Sequence, residues 1–260
     1  MVTKYRQLAD ELRQAIRSGV YGSKLPRNQD LMAQHGLSKE TVSHAIKVLQ
    51  AEGLVRTVQK AGTFVLDQRT VRVEFSRYAS VLEPGSLLGP WETACRRAGI
   101  PGEMNLIKVT RTTADDWTAD HLEISVGAPV VCRHRHAVIG SGRRRQVVQI
   151  HTACYPADIV AGTPIAGTDK VAGGVYAALK AAGIPPVTAD ETVTARTATA
   201  EELAVLDMRD GPVLLVERVT RDVTRRPIEV LRIVADPAHT TLVYDALPLN
   251  GNPSADLESD

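Results

Sequence analysis

The stretch from Leu37 to Val65 carries side chains whose types and spacing suit recognition of a DNA duplex. Ser38 can cap the start of a helix, after which apolar residues follow at the spacing of one helical stripe: Val42, Ala45, Ile46 and Leu49. The opposite face is polar and holds no acidic side chain, with Lys39, Ser43, His44, Lys47 and Gln50. A helix of this kind fits the major groove, where such side chains can bind bases and phosphates.

A short basic hairpin is predicted directly after this helix. Glu52-Gly53 ends the helix, and residues 54–57 and 63–65 read as two strands around a tip that includes Lys60 and Gly62. The tip can reach phosphates or the minor groove. The competing interpretation is an ordinary amphipathic helix followed by an ordinary hairpin, and the preceding segment favours the DNA-binding interpretation.

Two further helices are predicted ahead of this unit. The first carries an apolar stripe and ends at Gly19; the stripe consists of Tyr5, Leu8, Leu12 and Ile16. The second follows Pro26, covers residues 29–35 and ends at Gly36. Two helices joined by a tight glycine-containing turn form a helix-turn-helix, and the hairpin makes it a winged one.

Charge divides the 260-residue chain into two parts. Residues 1–66 hold ten Lys and Arg against five Asp and Glu, whereas the rest is mildly acidic and the whole chain has a net charge of +1. A small basic module joined to a larger acidic one predicts two domains with different partners. The predicted divisions are a DNA-binding domain (1–67), a linker with the first strand (68–76), a second domain (77–247) and a flexible acidic tail (248–260).

Membrane, secreted and metal-binding classes are not expected. The charged N-terminus lacks the apolar run of a signal peptide, and no apolar segment approaches the roughly 20 residues that cross a bilayer. The three cysteines, Cys95, Cys132 and Cys154, have no metal-binding spacing and are expected to be buried thiols in a reducing compartment. We therefore expect a cytoplasmic protein without a metal or cofactor.

The residues from Tyr5 to Val65 resemble the N-terminal DNA-binding domain of the GntR family of bacterial transcription regulators. The matching residues form an ordered set: Leu25-Pro26, Leu31-Met32-Ala33, Ser38, Thr41-Val42, Ala45-Ile46, Leu49, Ala51 to Val55 and Gly62 to Val65. The resemblance, together with the polar helix face, implies DNA contacts at Arg27, Gln29, Ser38, Lys39, Thr41, Ser43, His44, Lys47, Lys60 and Gly62.

Three departures from the family pattern fall at DNA-facing positions. Arg27-Asn28-Gln29 stands where the family usually has Ser-Glu-Arg, Ser43 replaces a frequent arginine, and Lys60 replaces a glycine of the wing. We expect the docking geometry of the family with a different operator sequence.

The rest of the chain alternates between strand and helix patterns. Strands are predicted at 71–75, 106–111, 130–138, 147–154, 191–197, 213–222, 228–235 and 240–244, and helices at 93–98 and 171–182. The helix at 171–182 would contain Gly173-Gly174, and the strands flanking residues 224–227 should form a hairpin. These elements predict a mostly antiparallel sheet with helices packed on it.

One local pattern occurs twice in this part of the chain. Residues 113–131 and 199–215 each read as a capped helix that enters a strand after Gly and Pro. This could be a duplicated unit or the same local pattern used twice.

This second part resembles, more loosely, the ligand-binding domain of the HutC subfamily within the GntR family. The resemblance rests on the double helix-to-strand pattern, on Arg133-x-Arg135 and on Arg226-Pro227-Ile228-Glu229. It implies a UTRA domain with a chorismate-lyase-like α/β fold. The predicted fold class is α+β, with an N-terminal winged helix-turn-helix domain and a C-terminal domain of this kind.

In the family this domain binds small metabolites, often sugar phosphates or carboxylates, between the sheet and its helices. The resemblance implies effector-binding residues at Arg133, Arg135, His151, Gly174, Tyr176 and Glu229. Arginines at i and i+2 point to the same side of a strand and can bind an anion together, and a glycine-rich helix start offers backbone N–H groups. The alternative is structural: the arginines form a solvated strand face, and Glu229 pairs with Arg218 or Arg232.

Departures occur here too. His151 stands where the family often has an acid, Gly174 replaces a serine, and Ala235 stands at a tyrosine position. These residues offer fewer contacts for a phosphate, so the sequence fits a larger, less charged effector as well as a sugar phosphate. His134 and His136 alternate with the arginines and point to the other face of the sheet, where they are expected to be surface or packed histidines and not ligands.

These features predict a homodimeric, ligand-responsive repressor that an anionic or hydroxyl-rich effector releases from a near-palindromic operator. One alternative is a second domain that only dimerises. Another is a chorismate-lyase-like enzyme domain in which Arg133, His151 and Glu229 would act, but the chain has no nucleophile-elbow, phosphate-loop or zinc-protease motif. We expect no catalytic residue.

Overall fold

The computed structural model of the protein describes residues 3–66, 70–74 and 88–244. Parts of the four predicted divisions lie outside these ranges: residues 1–2 and 67 of the DNA-binding domain, 68–69 and 75–76 of the linker with the first strand, 77–87 and 245–247 of the second domain, and the tail at 248–260.

The N-terminal domain is a three-helix unit with a two-stranded wing. Its elements are α1 (Lys4–Arg17), α2 (Asn28–His35), α3 (Lys39–Ala51), β1 (Val55–Val58) and β2 (Gly62–Val65). The predicted apolar stripes meet in one buried cluster, which includes Leu8, Leu12, Leu31, Val42 and Leu49. The predicted helix-turn-helix and wing are confirmed.

Local backbone chemistry sets the ends of these elements. The Ser38 side chain accepts a hydrogen bond from the Thr41 backbone N–H at 3.3 Å, as expected of a helix N-cap. Gly36 ends α2 with φ 62°, and Gly62 follows the wing tip with φ 107°. Both values lie in the region that glycine adopts without steric cost.

A six-stranded sheet forms the second domain. Its strands are β4 (Gly102–Thr113), β5 (Pro129–Ile139), β6 (Gln146–Pro156), β7 (Thr188–Thr197), β8 (Pro212–Arg221) and β9 (Pro227–Ala235). They pair in the order β4-β5-β6-β9-β8-β7, and every pairing is antiparallel. A separate parallel pair joins β3 (Val71–Glu74) to β10 (Thr240–Val243).

Within the described ranges, five α-helices accompany the sheet: α4 (Pro90–Arg97), α5 (Asp116–Leu122), α6 (Ala157–Val160), α7 (Val175–Ala181) and α8 (Ala200–Leu206). The prediction of a helix from Val171 was wrong at its start. Gly173 and Gly174 have φ 71° and 86°, so they form the turn that precedes α7. None of the helices within the described ranges is long and apolar enough to cross a membrane.

The sheet consists of two halves with the same order of elements. One half is β4-α5-β5-β6 and the other is β7-α8-β8-β9, and they meet where β6 pairs with β9. Asp115 and Thr199 cap the two equivalent helices, and Glu123 and Asp207 end them in the left-handed conformation. The pattern that occurs twice in the sequence therefore builds two equivalent halves of one sheet.

The two faces of the sheet have separate cores. Helices α5 and α8 cover one face, where Leu122 packs on Val130 and Leu206 on Val213. Helices α6 and α7 cover the other, around a cluster that includes Val131, Tyr155, Leu179 and Leu231. Strand residues alternate between these faces, so Arg133 and Arg135 lie on the α7 side.

The expectation of three buried thiols was wrong for two of them. Cys132 of β5 and Cys154 of β6 lie directly opposite each other and form a disulfide. Cys95 is a buried free thiol, and its burial raises the pKa to about 12. The spacing of the two bonded residues along the chain gives no sign of this pairing, which follows from the strand register.

Candidate DNA-binding face and ligand pocket

The predicted DNA-contacting residues lie on α3, at the start of α2 and on the wing, and most of them are exposed. Side chains in water include Arg27, Gln29, Lys39, Lys47 and Lys60, while Thr41 and Ser43 are half-buried. The Ser38 hydroxyl already serves the helix cap, where it lies 3.1 Å from the Thr41 hydroxyl. Most of these side chains are therefore accessible, and their DNA contacts stay predictions.

His44 has a partner that the sequence analysis did not identify. Its ring stacks on Tyr5 of α1, with centroids 3.9 Å apart and planes 4° from parallel. The Arg6 guanidinium lies 5.9 Å from the Tyr5 centroid, and its hydrogen bond lowers the pKa of the exposed Tyr5 hydroxyl. The start of α1 thus lies beside His44 of α3. In the sequence, Tyr5 at the start of the apolar stripe of α1 was the feature that could have indicated this contact.

The wing is supported by the loop before α2. Lys24 forms an isolated β-bridge with Phe64, and its ammonium group lies 5.3 Å from the Phe64 ring. A Cβ added at Gly62 would approach Lys24 Cε to 2.6 Å. Lys60, at the tip, has φ 62°, a conformation that favours the glycine usual at this position in the family.

The wing also contacts the second domain. Arg56 of β1 donates from Nε to Asp207 Oδ2 at 2.9 Å and from Nη1 to the carbonyl of Arg145 at 3.0 Å. The guanidinium of Arg143 lies 5.9 Å from the Phe64 ring. The end of α8 and the β5–β6 connection therefore contact the two wing strands at Arg56 and Phe64.

A cavity lies between helices α4 and α7 and the face of the sheet that α7 covers. The volume open to the centres of water-sized molecules is about 130 Å³. All six predicted effector-binding residues line it: Arg133, Arg135, His151, Gly174, Tyr176 and Glu229. The structure thus brings together side chains that are up to 96 positions apart in the chain. Most other lining residues are apolar, and Trp91, Leu106 and Ile233 are among them.

Arg133 is bound to the protein itself. Its Nη1 donates to the carbonyls of Ile165 and Gly167, and its Nη2 donates to the carbonyl of Asp169, each at 2.7 Å. The side chain is 2 % exposed, and desolvation lowers the pKa of its guanidinium. Arg133 therefore holds the segment between α6 and α7 against the sheet.

Arg135, two residues further along β5, has a different environment. The Nε atoms of both arginines are buried without a hydrogen-bond partner among the residues that the structure describes, but only the Arg133 guanidinium is held by carbonyls through its Nη atoms. Arg135 is half-buried and faces the cavity. Its guanidinium thus faces the cavity without a carbonyl or carboxylate partner from the described ranges.

Glu229 is surrounded by hydroxyl donors. Tyr155 donates to Oε1 at 2.5 Å, while Tyr176 and Thr220 donate to Oε2 at 3.0 Å each. Burial and the neighbouring Glu229 charge raise the pKa of both tyrosines well above its ordinary value, so they stay neutral donors. The Glu229 carboxylate therefore accepts three hydrogen bonds from the protein itself.

The alternative prediction, that Glu229 pairs with Arg218 or Arg232, was wrong. Arg218 forms a buried ion pair with Glu191, with its Nε 2.5 Å from the carboxylate, and Arg232 binds Glu217 at 2.8 Å. Glu229 binds neither arginine through a side-chain ion pair. Arg218 instead reaches the edge of the hydroxyl cluster, 3.4 Å from Tyr176 Oη.

The remaining polar lining residues are bonded as well. His151 Nε2 lies 2.8 Å from Gln149 Oε1, and Gln149 donates to the Thr240 hydroxyl at 3.0 Å. At the mouth, Lys170 binds Glu92 at 2.9 Å. Three cations therefore line the cavity, and within the described part of the chain Arg135 alone has neither a carbonyl nor a carboxylate partner.

The two histidines between the arginines lie on the other face, as predicted. His134 contacts the hydroxyls of Thr110 and Thr152 at 3.2 and 3.4 Å. Burial lowers the pKa of both His134 and His136, because the neutral ring is favoured away from water. In the described ranges, no group of three or more acidic, His or Cys side chains is arranged to hold a metal ion.

Comparison with protein families decides what this pair of domains is. The model of the UTRA domain matches residues 98–238, more than half of the chain, and the model of bacterial regulatory proteins of the gntR family matches residues 4–65. The chain belongs to the GntR family. Within it, the UTRA domain places the protein in the HutC subfamily, and its predicted fold class is confirmed.

Relatives of this GntR-family protein are transcription regulators. It is 31 % identical to an uncharacterized HTH-type transcriptional regulator of Streptomyces coelicolor, over 87 % of this chain and 86 % of that protein. It is 28 % identical to the histidine utilization repressor of Klebsiella aerogenes, over 85 % of each chain. The protein is therefore a ligand-responsive DNA-binding regulator and not an enzyme.

Solved structures agree with this fold. The crystal structure of one GntR-family transcriptional regulator matches with a TM-score of 0.58 and 25 % identity, over 95 % of this chain and 98 % of that one. The crystal structure of PhnF from Mycobacterium smegmatis gives a TM-score of 0.58 at 22 % identity, over 91 % and 97 % of the two chains. The individual DNA-contacting and effector-binding residues stay predictions.

Proposed function

We propose that this GntR regulator is a repressor that binds a near-palindromic operator as a homodimer and leaves it when a small molecule enters the cavity. The observation that carries the proposal is the cavity on the α7 face, which has mainly apolar walls and, among the described residues, one cation without a carbonyl or carboxylate partner. A domain that only dimerised would have no need of such a space.

A dimer is expected from the size of the DNA-binding module. One winged helix-turn-helix reads only a few base pairs, too few for useful discrimination in a genome, whereas two modules on one palindrome multiply the specificity. The second domain is the part of the chain available to join two protomers.

The wing contact offers a route from the cavity to DNA. Arg56 binds Asp207 at the end of α8 and the carbonyl of Arg145 in the β5–β6 connection. Strand β5 also carries Arg135, so a ligand that favours one position of this strand changes the support of the wing. A ligand shifts the arrangement only by the difference between its affinities for the two arrangements.

The experiment has two steps on the full chain. A thermal-shift screen against metabolites identifies ligands, and fluorescence anisotropy with a labelled palindromic operator then measures release. The proposal expects dimeric binding to the complete site and a loss of anisotropy on addition of a hit. Full affinity of a monomer for one half-site, or tight ligand binding without any change in operator affinity, would overturn it.

A further inference from the structure

We propose that Arg135 is the single anion anchor of the cavity and that the effector is a monocarboxylate with an apolar body. This inference rests on the proposed function, because it assigns a ligand class to the same cavity. Its support comes from a comparison between the two equivalent halves of the sheet.

Arg135 and Arg218 occupy equivalent positions in these halves. Each lies six residues after the proline that begins its strand, Pro129 in β5 and Pro212 in β8. Each points to the face of the sheet that α7 covers, where Arg135 lines the cavity and Arg218 reaches Tyr176. The protein therefore places the same cation twice on one face.

The two arginines face different residues on the edge strands β7 and β4. Arg218 lies opposite Glu191 of β7, and the two form a buried ion pair. Arg135 lies opposite Leu106 of β4, which has no charge to offer. Half-burying a guanidinium that has no carbonyl or carboxylate partner among the described residues costs free energy. An external carboxylate, placed beside Arg135 as Glu191 is placed beside Arg218, would recover this cost.

The rest of the cavity limits the charge and polarity of the ligand. Both Nη atoms of Arg133 are held by carbonyls, although its Nε has no partner, and Lys170 is bound to Glu92. Within the described ranges, a doubly charged phosphate would therefore find one guanidinium, that of Arg135, with neither a carbonyl nor a carboxylate partner. Glu229 already accepts from three hydroxyls, which leaves it little capacity for the hydroxyls of a sugar.

The walls around Arg135 suit a hydrocarbon. Leu106, Trp91, Leu231 and Ile233 line the same space, and transfer of an apolar surface from water to such walls is favourable. A planar carboxylate can accept two parallel bonds from a guanidinium, which fixes its orientation. One carboxylate on an aliphatic or aromatic body satisfies both features.

Calorimetric titration of the full chain tests this with chosen probes. Octanoate and phenylacetate combine the charge with an apolar body, 1-octanol lacks the charge, acetate lacks the body, and glucose 6-phosphate represents the sugar phosphates. We expect at least one of the two longer carboxylates to bind with a Kd below about 1 mM and the other three probes to bind at least about 10-fold more weakly.

Variants separate the anchor from general effects. Arg135→Gln should weaken carboxylate binding by about 10- to 100-fold, the loss of a charge-assisted contact. Leu106→Glu should weaken it as strongly by giving Arg135 the internal partner that Arg218 has, whereas Leu106→Gln should weaken it much less. Lys180→Gln, on the exposed side of α7, removes a cation without touching the cavity and serves as the control. Urea unfolding of each variant verifies that it is folded.

The outcomes are distinct. Unchanged carboxylate binding by Arg135→Gln, equal effects of the two Leu106 variants, tighter binding of glucose 6-phosphate, or no binding of either longer carboxylate would each overturn the ligand assignment. Operator release is measured separately. A carboxylate that binds through Arg135 but leaves the operator complex intact would support this assignment and contradict the proposed function.

Discussion

The DNA-binding face and the ligand cavity use their polar side chains in opposite ways. On the face, Lys39, Lys47 and Lys60 extend into water. In the cavity, Arg133 binds three carbonyls and Glu229 binds three hydroxyls. Cations on a surface that meets a polyanion stay hydrated at little cost, whereas a buried polar group needs a partner. A charged residue in a cavity is therefore a candidate for ligand binding only after its internal partners are known.

The largest expected effect comes from the buried ion pair beside the cavity. Arg218→Ala leaves the Glu191 carboxylate, which is 4 % exposed, without this partner. We expect a loss of about 3–5 kcal/mol in the free energy of unfolding, measured in urea. Lys47→Ala on the DNA face should change the same quantity by less than about 0.5 kcal/mol.

A double variant sharpens this result. Replacing Arg218 and Glu191 together by methionine removes both charges, so much of the lost stability should return. Equal losses for Arg218→Ala and Lys47→Ala would contradict the contrast between the two regions.

The next effect distinguishes the two arginines on β5. Arg133→Ala removes the donors of three carbonyls between α6 and α7, and we expect a loss of about 3 kcal/mol with faster amide exchange at residues 165–169. Arg135→Ala should cost less than about 1 kcal/mol, because its guanidinium has no carbonyl or carboxylate partner among the described residues. A larger loss for Arg135→Ala would reverse the roles assigned here.

The same contrast explains how far the sequence could predict this structure. In the DNA-binding domain, caps such as Ser38 and glycines such as Gly36 act within one helical turn, so local patterns predicted the elements and their exposed face. In the second domain, the period-2 patterns located every strand of the six-stranded sheet to within a few residues. They also placed Arg133 and Arg135 on one face and His134 on the other.

What sequence reasoning missed depends on contacts between distant segments. The partners of Arg133 lie 32 to 36 residues away, and those of Glu229 come from three different elements. The disulfide follows from the register of β5 with β6. The helix start at Val175 was misplaced because the apolar pattern runs on through Gly173-Gly174, where the backbone takes positive φ.

On the DNA face, the recognition helix carries the next prediction. Ser43 lies near the start of α3, where side chains are best placed for base edges, so Ser43→Ala should cost about 1–3 kcal/mol on the preferred operator. The loss should be smaller on operators changed at the contacted base pair, and selection from a randomised DNA library measures that shift. An unchanged sequence preference would count against this role.

Two lysines should affect all DNA sequences alike. Lys47→Ala removes a cation further along α3, and Lys60→Gly removes one from the wing while relieving the left-handed backbone at this position. Each should weaken binding to specific and random DNA equally and lower the slope of log affinity against log salt by about 1. Either variant that altered the preferred sequence instead would be reassigned from phosphate to base contact.

The smallest expected effect lies where the two regions meet. Arg56 belongs to the wing, yet its guanidinium is used internally, bound to Asp207 and to the carbonyl of Arg145. Both side chains of the ion pair are partly exposed, so a double-mutant cycle should give a coupling of about 0.2–1 kcal/mol that declines with salt. Arg56→Ala and Asp207→Asn suit the cycle, because asparagine tolerates the left-handed backbone at Asp207, where φ is 55°. Unfolding free energies of the parent, the two single variants and the double variant provide the measurement. Strict additivity would mean that α8 does not hold the wing in solution, and the route from cavity to DNA would then have to run through the chain segment between the domains.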